Sequence, residues 1–144
     1  MRYEKVYTLE GWYDGPRSGV ADYKGKPHIY ESNWREDEDL PYLYDLKPIN
    51  KSELKLVMEM WNIWKRWEKA NINGKVPDNT HPALPEDKAR YKELEKLLKP
   101  LYEIDYSSSI KAKGEFKAAE QSESFHENDT KMVVGWKEVI KNAT

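Results

Sequence analysis

Three side chains near the start of the chain have the types needed for acid–base chemistry: Glu10, Tyr23 and His28. A carboxylate that orients an imidazole beside a phenol can move a proton near neutral pH. Such a set must be assembled by strand pairing, because residues 3–13 are rich in Tyr, Val, Thr and Trp and read as a strand. "DGPRSG", 14–19, is a turn, "VADYK" a second strand, "KGKP", 24–27, a second turn and "HIYESNW" a third strand. With Tyr23 paired to His28 and Ala21 to Tyr30, and with Tyr13 paired to Val20, Glu10 falls beside Tyr23. Trp12, Tyr30 and Trp34 then flank the row as ligand-contacting aromatics. Arg17, among the glycine amides of the 14–19 turn, supplies an anion contact. The plainer reading is a polar row on a solvated sheet face, since a one-residue slip moves every member to the other side.

No other motif competes. The histidines His28, His81 and His126 are far apart and form no metal-type pair, so no metal and no cofactor is expected. The 14–19 turn lacks the Lys-Ser/Thr ending of a phosphate loop, and the acidic run "EDED", 36–39, lacks the ligand spacing of a calcium loop. Cysteine is absent, which removes disulfides and thiol nucleophiles and fits a reducing compartment.

After the N-terminal meander, "YLYDLKP" reads as a fourth strand. Asn50 followed by Glu53 has the spacing of a capping box, and Asn73-Gly74 is a stop signal, so a helix is predicted over 51–71. A second helix starts near Pro85, with the stripe Ala89, Tyr91, Leu94, Leu97 and Leu98, and ends at Pro100. Residues 99–109 give no clear pattern. "IKAKGEFKA", 110–118, alternates apolar and charged residues as a half-buried strand does, and "KMVVGWKEVI" closes as a last strand. The order predicts a single α+β domain over 1–144: an antiparallel sheet from the N-terminal meander and the C-terminal strands, with two central helices packed on one face.

The first helix carries Trp61, Trp64 and Trp67. Three exposed indoles would make a patch of about 600 Å², at the upper limit for a monomer, so burial is the expectation. A subunit interface is the next reading and a ligand face the last.

Charged residues make up 35% of the 144-residue chain and the net charge is −2, so no basic field favours nucleic acid. The opening stretch is charged at once and no apolar run approaches a membrane span, which predicts a soluble cytoplasmic protein. The stretches "YDGPRSGVADYKGKPHIYE", "WNIWKRWEKA" and "THPALPEDKARYKEL" resemble parts of short bacterial proteins of unassigned function, over about residues 7–98. The resemblance implies a bacterial, cytosolic origin and carries over no site residue.

With 10 Tyr and 6 Trp but little recognisable chemistry, the leading expectation is a non-enzymatic binding or accessory module. It would engage a protein partner or assemble with itself through aromatic surface. One alternative is a small enzyme or ligand-binding protein using His28, Tyr23 and Glu10. Another is an immunity-type protein that sets the acidic 36–39 loop against a basic partner.

Overall fold

A computed structural model of the chain describes residues 2–12, 15–32, 43–119 and 131–139. The fold is α+β, with seven antiparallel strands and two α-helices among the described residues. The chain divides into two compact units, Met1–Ile49 with Ile104–Thr144, and Asn50–Glu103.

The first unit is the sheet. Its strands are β1 (Tyr3–Lys5), β2 (Gly11–Trp12), β3 (Pro16–Tyr23), β4 (Lys26–Ser32), β5 (Leu43–Pro48), β6 (Ile110–Ala118) and β7 (Met132–Glu138). The order is β1-β7-β6-β5-β4-β3-β2. The predicted strand over 3–13 is therefore broken, and its two ends serve different edges. β1 pairs with β7, while Val6 bridges Ala21 and Glu10 N–H donates to the Ser18 carbonyl of β3. Sharing one segment between both edges curls the sheet into a barrel, with β1 brought close to β3.

Alternation fills the interior. Ala21, Tyr23, Tyr30, Tyr44, Leu46, Ala112 and Val134 form a buried cluster, with Phe116 and Trp136 packed against it. The aromatic rings meet at tilted or edge-on angles; Tyr44 and Trp136, for example, lie 5.5 Å apart at 82°. Their polar ends are satisfied across the curl: Tyr30 donates to the Thr8 carbonyl at 2.8 Å, Tyr44 to that of Pro16 at 2.7 Å, and the Trp136 indole to that of Asp22 at 2.8 Å. This explains why the core favours Tyr and Trp over Phe. Each ring fills volume, and its donor ties one strand to another that is not its neighbour.

The β3–β4 hairpin closes on two residues, Lys24 and Gly25, both at positive φ (53° and 77°). This matches the right-handed strand twist and favours Gly at the second position. Tyr23 consequently pairs with Lys26, and Ala21 with His28. The expected pairings, Tyr23 with His28 and Ala21 with Tyr30, are corrected by two residues because the tightest compatible turn wins. A two-residue shift preserves which face each side chain occupies.

The second unit is a helical hairpin, α1 (Lys51–Ile72) and α2 (Lys88–Leu98), joined through short 3₁₀ turns at Asp78–Thr80 and Pro85–Asp87. Asn50 and Glu53 form the capping box that the sequence predicts. Ile63, Ala83 and Leu94 form the buried centre, with Leu56, Met60 and Tyr91 against it. Arg90 grips Glu59 through two contacts, at 2.5 and 2.7 Å, and Arg66 pairs with Asp87. Trp67 is buried, while Trp61 and Trp64 are half-buried and stacked, with centroids 5.1 Å apart. The loop before α2 returns to serve the indoles: Trp67 donates to the Thr80 hydroxyl and Trp64 to His81, whose ring stands edge-on to Trp67.

Candidate functional site

The predicted acid–base set is taken apart by the observed register. Glu10 lies next to the Gly11–Ser18 pair and accepts from the Thr8 hydroxyl at 2.7 Å, well away from Tyr23. The physical cause is the break between β1 and β2, which sends the second half of the N-terminal segment along β3 in a shifted register. Tyr23 and His28 do meet, as diagonal neighbours with ring centroids 5.2 Å apart at 80°. The carboxylate beside Tyr23 is that of Glu138, which accepts the phenol at 2.9 Å.

Electrostatics set the states of both rings. Burial raises the Tyr23 pKa, helped by the bond to Glu138, so Tyr23 is a proton donor at neutral pH and no base. Burial lowers the His28 pKa, partly offset by the Nδ1–H bond to the Lys26 carbonyl at 2.8 Å and by the charges of Glu4 and Asp22. His28 is only 6% exposed. Around it the contacts read as a clasp for the barrel seam. Glu4 of β1 accepts the Lys24 and Gly25 amides at 3.0 and 2.7 Å, and Lys24 reaches Glu138 at 3.6 Å. Tyr7 donates to Asp22, and its pKa is pushed up to about 12 by burial and that bond.

A concave feature of the sheet unit lies elsewhere. A cavity of about 580 Å³ is lined by Gly15, Pro16 and Arg17 at the start of β3, Tyr44 at the start of β5, and residues of β6 and β7. Gly114 and Phe116 supply the inward part of the β6 wall, with Lys113 and Glu115 between and before them, and Gly135 and Lys137 of β7 complete it. Four consecutive residues of β6 take part, so some of that wall is main chain. Gly114 is what lets the aromatics close up. A Cβ there would stand 2.6 Å from Trp136 Cζ3 and 3.0 Å from Tyr44 Cε1. The boundary has three basic residues, Arg17, Lys113 and Lys137, against one acid, Glu115, which already takes the Tyr3 hydroxyl. Lys113 and Lys137 stand directly opposite each other across β6 and β7, a like-charge pairing that costs stability unless something anionic relieves it.

Among the residues singled out from sequence, Arg17 therefore lies on the cavity. Trp12 pairs with cavity-lining Pro16 and is 39% exposed. Tyr30 is fully buried as a core ring, its hydroxyl committed to Thr8. Trp34 and the acidic 36–39 loop lie outside the described residues. Tyr44, Phe116, Lys113 and Lys137 escaped sequence reading because each fits the ordinary alternation of a half-buried strand. Among the described residues no group of His, Asp and Glu could hold a metal ion, and no helix is long and apolar enough to cross a membrane. Comparison with known proteins finds no matching family model, no matching curated protein and no matching solved structure.

Proposed function

We propose that the protein is a non-enzymatic binding module whose barrel holds a small molecule with a flat apolar body and one anionic group. The observation that carries this is the cavity of about 580 Å³ with Tyr44 and Phe116 in its lining and Arg17, Lys113 and Lys137 on its boundary. Apolar walls with a few placed charges are the usual composition of a ligand site, and the volume lies in the range such sites occupy. A guanidinium is matched in shape and charge to a carboxylate, and the opposed lysines supply the field that selects for an anion. Nothing in the lining requires a reaction: the groups are donors and rings rather than a nucleophile with a base.

The reading is tested with two matched probes, 2-naphthoate and the neutral 2-naphthamide, by calorimetry. Naphthoate should bind tighter by about tenfold, or ~1.4 kcal/mol. Arg17→Gln should erase that margin, and Phe116→Ala should weaken both probes. If neither probe binds the folded protein, the cavity is no ligand site. If both bind equally, the anionic preference fails and the apolar reading survives.

A further inference from the structure

Asp45 lies on β5 in the middle of the sheet and is 0% exposed. One of its oxygens, Oδ1, takes the Lys111 ammonium and the Ser109 hydroxyl, the latter at 2.6 Å. The other, Oδ2, is buried and has no hydrogen-bond partner among the described residues. A buried carboxylate with one bare oxygen forfeits the solvation of that oxygen and gains nothing in return. Lys111 is held on it by register: Asp45 pairs directly with Lys111 of β6, and on its other side with Glu31 of β4. The Lys111 Nζ also donates to the Tyr106 carbonyl at 2.7 Å and to the Ser109 hydroxyl at 2.9 Å. The Tyr106 phenol donates to Glu31 at 3.0 Å, which keeps that second carboxylate in the row.

We propose that Lys111 and Asp45 condense into an intramolecular amide that joins β6 to β5. The Nζ–Cγ bond forms and the Cγ–Oδ2 bond breaks. Oδ2 departs with two of the three ammonium protons as water, and the third stays as the amide N–H. Ammonium and carboxylate become a neutral amide plus water, so charge balances and no co-reactant is needed. The bare oxygen is the one that leaves. The groups that remain keep their partners, since Oδ1 still accepts from Ser109 and the amide N–H still faces the Tyr106 carbonyl. Fixed opposite strands hold amine and carboxyl together at a high effective concentration, with the carboxyl fully buried, which favours condensation over hydrolysis.

The bond would have a definite structural consequence. The two residues lie 66 apart in sequence and bracket the whole Asn50–Glu103 unit. The amide would make that segment the interior of a covalent ring anchored on adjacent strands.

Intact-mass spectrometry of the purified full chain under denaturing conditions decides the matter. The wild type should weigh one water less than its sequence, and Lys111→Met should weigh its full sequence mass. A tryptic digest should yield one species joining the Asp45 peptide to the Lys111 peptide, which distinguishes this amide from water lost at another residue. A wild-type chain at full sequence mass, with no joined peptide after prolonged incubation, overturns the proposal, and it does so whether or not any variant folds.

Discussion

Single side chains set the electrostatic and steric limits. His28 is desolvated, so its folded-state pKa lies below that of the unfolded chain. Unfolding then takes up a proton once the pH drops below the ordinary histidine value of about 6.5. The stability contributed by neutral His28 is complete above that value and is lost as the pH falls through the folded-state pKa. Denaturant midpoints measured from pH 8 to pH 5 should decline over the lower part of that range, and His28→Gln should flatten that part of the curve. Gly114 sets a steric limit. Ala there places a methyl group against Trp136 and Tyr44, both of which are packed and hydrogen-bonded across the barrel. Gly114→Ala should destabilise by about 1–3 kcal/mol, read from chemical unfolding, because the rings have nowhere to go without leaving their partners.

Elements show which local rules governed and which were overridden. The α1 start obeyed its sequence: the Asn50 side chain accepts from Glu53 N–H at 2.8 Å and the Glu53 carboxylate accepts from Asn50 N–H at 2.9 Å. Asn50→Ala should cost about 1 kcal/mol in thermal or urea unfolding followed by circular dichroism, the usual size of a lost N-cap. β6 also obeyed its period, with Ala112 and Gly114 buried and Lys113 and Glu115 exposed. The N-terminal strand did not. Residues 3–12 have the composition of one continuous strand, yet they split into β1 and β2 because the segment must serve two edges of a curled sheet. Composition reports a preference for extended backbone and says nothing about which partner is on either side. The same holds for the indoles of α1. Their spacing showed that they needed cover, whereas their hydrogen-bond partners, Thr80 and His81, come from a loop whose path no periodicity describes.

For the whole molecule, the sequence alone determined the class of elements, their order and most of their ends. These follow from capping residues, Gly and Pro at turns, and the periods of 2 and 3.6, all of which act within a few residues along the chain. It also determined that chemistry of the metal or thiol kind has little material to work with, but it assigned Arg17 to the 14–19 turn, whereas β3 already begins at Pro16 and carries Arg17. Only the tertiary structure decided that the sheet closes on itself. It separated Glu10 from Tyr23 and put Glu138 in its place, and it gathered Arg17, Tyr44, Phe116, Lys113 and Lys137 around one cavity. It also set Asp45 against Lys111, 66 positions further along the chain. Those contacts depend on strand register and on the curl, and both are global quantities. A shift of two residues at the Lys24–Gly25 turn, or a half-strand exchanged between edges, alters no local pattern yet changes which side chains meet.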